Sequence, residues 1–197
     1  MNLANKITVA RICLIPLFIL SFSHYPQWLA EESPIFSFMN QYGINIAIVV
    51  FIVASGTDKL DGYIARKFNQ ITNLGKLLDP LADKLLISVA LIMMVQSGMI
   101  PSWMAVIIIG REFIITSLRM IASEQGIALA ADHFGKIKMV MQVVAIAAIL
   151  LDNYPFDLLT SIKIDYILML IAVVLTVFSG FNYIIRNFKA LRLGSLK

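Results

Sequence analysis

The chain has little of what builds a soluble or disulfide-linked protein. Its single cysteine, Cys13, lies in an apolar run, so we expect no disulfide framework. Its two histidines, His24 and His133, fall in or beside predicted loops, and neither has a second histidine at the spacing of a metal site. Charged residues make up only 14% of the 197 positions and hydrophobic residues 59%, with a mean hydropathy of +0.85. This composition excludes an ordinary soluble domain and gives no reason to expect a nucleic-acid partner.

Most of the chain consists of long apolar runs. A segment of about 20 residues is enough to span a bilayer, and the first run has no A-x-A-like cleavage site, so we expect it to be a retained span. The runs predict an all-α integral membrane protein with one transmembrane domain over 1–197. Its six helices are predicted near residues 7–24, 44–66, 76–97, 102–123, 135–152 and 165–187.

The distribution of basic residues predicts the orientation of these spans. With the N-terminus inside, Lys163 is the only basic residue in an outer loop, and Trp28 and Trp103 lie at outer helix ends. Both termini are therefore predicted to be cytoplasmic. A basic C-terminal tail is expected to bind anionic membrane lipids. It contains Arg186, Lys189, Arg192 and Lys197.

Four aspartates stand in these apolar surroundings: Asp58 and Asp61, then Asp79 and Asp83. A buried ionised carboxylate costs several kcal/mol in a membrane, so it needs a positive partner. Spacings of three and four residues put each pair on one helical face. Closely spaced oxygen ligands suit hard divalent cations such as Mg²⁺. Since the predicted orientation brings both pairs to one depth, we expect a single metal site open to the cytoplasm.

Small and basic residues accompany the carboxylates. Gly62, Ala65 and Gly75 fit either close helix packing in lipid or space for a flat group and a diphosphate. Arg66 is either a phosphate ligand or an anchor at the inner membrane surface. Pro80 is compatible with a first helical turn or with a kink, and the sequence does not decide between them.

The spacing of these residues resembles the complete signature of the CDP-alcohol phosphotransferase family. It reads Asp58-x-x-Asp61-Gly62-x-x-Ala65-Arg66, eight residues, then Gly75-x-x-x-Asp79-x-x-x-Asp83, and every specified position matches. The resemblance implies a homodimeric enzyme with six transmembrane helices. The implied reaction is a transfer in which an alcohol attacks a phosphorus of a CDP-linked donor, and CMP leaves.

The resemblance also implies roles for individual residues. Asp58, Asp61 and Asp79 would hold divalent ions, with two Mg²⁺ expected and Mn²⁺ as the alternative. Asp83 would be the general base and a further metal ligand. Taken without the resemblance, Asn5 and Thr8 are ordinary residues for a helix start. With it, the donor-binding set is Asn5, Thr8, Gly62, Ala65, Arg66, Thr72 and Gly75.

Basic residues further along the chain are candidates for binding the acceptor, the alcohol that receives the transferred group. Arg111 and Arg119 stand on an otherwise almost uncharged helix, and Lys136 and Lys138 open the next one. Together they would suit an acceptor that carries its own phosphate, although both lysines also fit the positive-inside pattern. Glu112 could orient Arg111 or Arg119, or form a structural ion pair.

The GREF run from Gly110, the LGKLLDPLADK segment and GKIKMVMQ resemble the bacterial branch of the family that joins CDP-diacylglycerol to sn-glycerol 3-phosphate. The implied products are phosphatidylglycerophosphate and CMP, and the implied location is the bacterial cytoplasmic membrane. The alternatives within the family are synthases of phosphatidylserine, phosphatidylinositol phosphate or cardiolipin. A divalent-cation carrier is a further alternative, but transporter sites usually lie near the midplane between repeats.

Overall fold

The structure is a computed structural model in which helices dominate. It describes the backbone of residues 3–67, 73–127, 129, 133–158 and 160–194. It describes the side chains of residues 7–57, 81–127, 129, 135–158 and 160–188. No strand occurs within these ranges, so the prediction of an all-α protein is confirmed for them.

In the part of the chain that the structure describes, six long helices correspond to the six predicted ones. A short helix and one 3₁₀ turn, Phe156–Leu158, lie in the connections. In chain order the helices are α1 Leu3–Phe22, α2 Gln27–Glu32, α3 Pro34–Lys67, α4 Asn73–Gln96, α5 Ser102–Glu124, α6 His133–Leu150 and α7 Ile164–Gly194.

The largest difference from the predicted boundaries lies before the second predicted helix. That helix, α3, begins at Pro34 rather than near residue 44, and α2 forms in a segment predicted to be a loop. Proline is tolerated in a first turn because its missing N–H has no partner there. The side chain of Asn40 bonds the backbone N–H of Tyr25 at 2.8 Å and its carbonyl at 2.9 Å, which fixes the preceding connection against α3.

The first compact unit covers Met1–Ser97, and in it α1 packs against α3 and α4. Its aromatic core includes Phe18, whose ring centroid lies 5.5 Å from that of Phe22 and 6.2 Å from that of Phe51. Gly43 allows a close approach between α1 and α3. A Cβ atom there would lie 2.2 Å from the carbonyl oxygen of Ser21.

The second compact unit covers Gly98–Lys197, and in it α7 packs against both α5 and α6. Its interior contains polar contacts as well as apolar ones. The buried Gln142 on α6 donates from Nε2 to Oγ1 of the buried Thr176 on α7 at 2.9 Å. Hydrogen bonds of this kind connect neighbouring helices in an apolar environment.

Two helical segments are long and apolar enough to cross a bilayer, judged by length and composition over the described residues. They are Pro34–Thr57 and Ile164–Phe188, and Ile7–Phe22 is a shorter apolar helix. A membrane protein is therefore supported, while the number of spans and the positions of the termini stay predictions.

Candidate active site

The four aspartates lie on two neighbouring helices of the first unit. The backbone places Asp58 and Asp61 on α3, and Asp79 and Asp83 on α4, which pack against each other. Within a continuous helix, their spacings keep each pair on one face. The side chain of Asp83 is half-buried. The side chains of Asp58, Asp61 and Asp79 lie outside the described residues.

The donor chemistry of these helices fits a divalent cation. Carboxylates are the oxygen ligands that Mg²⁺ and Mn²⁺ favour, and each of the two packed helices supplies a pair. Among the side chains that the structure describes, no three metal-ligating groups come together, but only one of the four aspartates belongs to that set.

Pro80 was compatible with either a first helical turn or a kink within a helix. Helix α4 begins at Asn73, so Pro80 lies in the helix interior rather than in the first turn. There it cannot donate a hydrogen bond to the preceding turn, which leaves a backbone carbonyl near the second aspartate pair without its usual helical partner.

The predicted donor contacts fall mostly on side chains that the structure does not describe. This holds for Asn5, Gly62, Ala65, Arg66, Thr72 and Gly75. Thr8 is described and is fully buried on α1, and Arg11, one turn further on, is 1% exposed. Because α1 packs against α4, the two side chains belong to the interior of the aspartate-bearing unit.

In the second unit, a chain of polar contacts joins three helices. Arg111 on α5 donates from Nη1 to Oε1 of Glu112 at 3.0 Å and from Nη2 to Oγ of Ser179 on α7 at 2.8 Å. The same Oε1 forms an ion pair with Nζ of Lys138 on α6. Side-chain exposures of 12% for Arg111, 20% for Glu112 and 3% for Lys138 place these charges largely inside the unit.

Arg119 has a different environment on the same helix. Its Nε donates to the hydroxyl of Tyr183 at 3.2 Å, and its Cζ lies 5.0 Å from the centre of the tyrosine ring. Arg119 is exposed, whereas Tyr183 is 1% exposed. The arginine therefore lies across a buried aromatic face on α7.

The predicted group of four cations is thus divided into distinct environments. The structure brings Arg111 and Lys138 together through Glu112, sets Arg119 against Tyr183 and leaves Lys136 exposed. Of the alternatives for Glu112, the contact with Arg111 and the ion pair occur. Lys138 is a partner that helical spacing on α5 could not reveal.

Two polar residues on α7 were missed by the sequence analysis. Ser179 binds Arg111, and Tyr183 binds Arg119. A Cβ atom on the adjacent Gly180 would lie 3.2 Å from Cγ of Arg111, so the glycine lets the arginine cross α7 closely. The Ser-Gly pair within an apolar helix was the available signal, because small residues mark close contacts between membrane helices.

Comparison with known proteins identifies the family to which the chain belongs. The family profile of CDP-alcohol phosphatidyltransferases matches residues 1–178, so the chain belongs to that family. A relative from Bacillus subtilis (strain 168) is 45% identical over 195 residues, covering 97% of each chain. It is named CDP-diacylglycerol–glycerol-3-phosphate 3-phosphatidyltransferase.

More distant relatives carry the same name. The protein from Pseudomonas fluorescens is 36% identical, with 93% of this chain and 89% of the relative covered. That from Rickettsia felis is 31% identical, with 92% and 93% covered. The family predicted from the aspartate signature is confirmed, and the predicted enzyme class agrees with the names of these relatives.

Proposed function

We propose that the chain transfers the phosphatidyl group of CDP-diacylglycerol to sn-glycerol 3-phosphate, giving phosphatidylglycerophosphate and CMP. The observation that carries this proposal is the 45% identity, over 97% of both chains, to a relative named for this reaction. The basic residues of the second unit support it, because the exposed Arg119 and Lys136 suit an acceptor that bears a phosphate.

The proposed setting is the bacterial cytoplasmic membrane. The family is membrane-bound, and two described helices have the length and composition of spans. We propose six spans within a single domain over 1–197, with both termini and the active site on the cytoplasmic side. The near absence of basic residues from the predicted outer loops supports this orientation. A homodimer is proposed from the family resemblance.

We propose that Asp58, Asp61, Asp79 and Asp83 hold two divalent ions, Mg²⁺ or alternatively Mn²⁺. Carboxylate pairs on the packed helices α3 and α4 support this role. Divalent ions bound there would neutralise the diphosphate and the charge that develops on the departing CMP. The donor itself would contact the glycines, Ala65 and Arg66 of the signature together with Asn5, Thr8 and Thr72.

The transfer needs one proton acceptor and one displacement at phosphorus. In the proposed step the carboxylate of Asp83 takes the proton of the free glycerol hydroxyl. The hydroxyl oxygen forms a bond to the phosphorus that bears the diacylglycerol, and the bond from that phosphorus to the CMP oxygen breaks. CMP leaves with the bonding electron pair, so charge and atoms balance.

The acceptor phosphate is proposed to bind Arg111, Arg119, Lys136 and Lys138. The contacts of these residues suggest different contributions. Arg119 and Lys136 are exposed, whereas Arg111 and Lys138 share the carboxylate of Glu112 inside the second unit. We therefore propose direct phosphate contacts for the exposed pair and a largely electrostatic contribution from the buried pair.

An acceptor screen tests the proposal. Purified protein with CDP-diacylglycerol and Mg²⁺ should release CMP when sn-glycerol 3-phosphate is added and not with serine, inositol phosphate or phosphatidylglycerol. Release with one of those acceptors instead would assign the chain to another branch of the family. Transport of labelled metal into liposomes without any lipid donor would favour a carrier.

A further inference from the structure

Tyr183 is a buried polar residue to which the proposed reaction assigns no role. It lies on α7, is 1% exposed, and directs its hydroxyl at Nε of Arg119 on α5. Its backbone carbonyl accepts a hydrogen bond from Nδ2 of Asn187 at 2.9 Å. The tyrosine ring is therefore held in place by the packing around it.

The contact constrains the exposed arginine in two ways. The guanidinium lies over the ring, with 5.0 Å between Cζ and the ring centre, and this cation–π contact restricts the cation to the aromatic face. The hydrogen bond of 3.2 Å from Nε to the tyrosine hydroxyl further restricts its orientation. An arginine on a helix surface would otherwise lose considerable rotamer entropy when it binds a ligand.

The same contact leaves the outer edge of Arg119 available. Among the side chains that the structure describes, none bonds to its Nη1 or Nη2, which are the two nitrogens that bind a phosphate side by side. Arg111 differs in this respect, because its Nη1 and Nη2 bind Glu112 and Ser179. Of the two arginines on α5, Arg119 is the exposed one, and its Nε rather than its terminal nitrogens bonds to a described side chain.

We propose that Tyr183 is a positioning residue that holds the Arg119 guanidinium ready for the phosphate group of the acceptor. The inference rests on the proposed function, since it requires a phosphorylated acceptor. Tyr183 acts through Arg119 and does not take part in the displacement at phosphorus. Its loss should therefore weaken acceptor binding while leaving the chemical step largely intact.

The test is steady-state kinetics of Tyr183→Phe, which keeps the ring and removes only the hydroxyl. Loss of one hydrogen bond to a charged group predicts a roughly tenfold higher KM for sn-glycerol 3-phosphate. We expect kcat and the KM for CDP-diacylglycerol to change by less than about twofold. Tyr166→Phe is the matched control, because Tyr166 is a 40% exposed tyrosine on the same helix, and its kinetics should equal those of the unsubstituted chain.

A double variant separates positioning from a general structural effect. Arg119→Gln should raise the same KM by roughly 100-fold, and adding Tyr183→Phe should raise it no further, because the hydroxyl then has no guanidinium to hold. Multiplicative effects, or an unchanged KM in Tyr183→Phe, would overturn the inference while the unsubstituted chain still uses sn-glycerol 3-phosphate. Failure of the unsubstituted chain to use that acceptor would overturn the proposed function and the inference with it.

Discussion

Glu112 provides the most informative perturbation of the second unit, because its carboxylate contacts the buried Lys138 and the largely buried Arg111. Oε1 accepts from Arg111 at 3.0 Å and pairs with Lys138, whose side chain is only 3% exposed. Glu112→Gln keeps the size of the side chain and removes its negative charge. The change leaves both cations in place without the carboxylate that they share.

The expected cost follows from the burial of the pair. Removing one partner of a buried ion pair costs about 3–5 kcal/mol. Glu112 is 20% exposed, which allows some hydration, so we expect the lower end, about 3 kcal/mol of the free energy of unfolding. Replacing Lys138 by Met together with Glu112→Gln should recover about 1.5–3 kcal/mol relative to the sum of the single changes.

Reversible unfolding in mixed detergent micelles measures these free energies. Glu124→Gln is the matched control, since Glu124 is an exposed glutamate on the same helix, and it should change stability by less than about 0.5 kcal/mol. The reasoning fails if Glu112→Gln is no worse than this control. It also fails if the Glu112 and Lys138 changes are additive.

Two further predictions concern the first unit. Gly43→Ala should destabilise the protein by about 1–3 kcal/mol in the same unfolding assay, because its Cβ would lie 2.2 Å from the carbonyl oxygen of Ser21. Gly56→Ala on the same helix should be neutral or stabilising, since nothing lies within 4 Å of that position, and equal effects would refute the packing argument. Asp83→Asn should lower CMP release by more than about 100-fold through loss of the proton acceptor, while binding of CDP-diacylglycerol, measured by titration calorimetry, largely survives. Near-normal turnover would remove Asp83 from the role of base.

The long apolar helices could be predicted from the sequence because their length and composition determine them. The segment before residue 44 could not, since polar residues and Gly43 made it resemble a loop. There Asn40 bonds the backbone of Tyr25, fifteen residues earlier, and Gly43 lies against Ser21 on α1. These contacts extend α3 back to Pro34, and they depend on packing between helices rather than on local propensity.

The candidate site was likewise predicted only in part from the sequence. The aspartate signature could be recognised directly because its residues are close in sequence and lie on α3 and α4. The partners of the basic residues could not, since Ser179 and Tyr183 are 68 and 64 residues away from Arg111 and Arg119. Only the packing of α7 against α5 brings these side chains together.

The central claim is that this member of the family selects sn-glycerol 3-phosphate as its acceptor, and a competition assay tests it most directly. Purified protein receives CDP-diacylglycerol, Mg²⁺ and an equimolar mixture of sn-glycerol 3-phosphate, serine and inositol phosphate, and the lipid products are identified by mass spectrometry. The account predicts phosphatidylglycerophosphate as the dominant product, at one molecule per CMP released. A dominant phosphatidylserine or phosphatidylinositol phosphate product would contradict it.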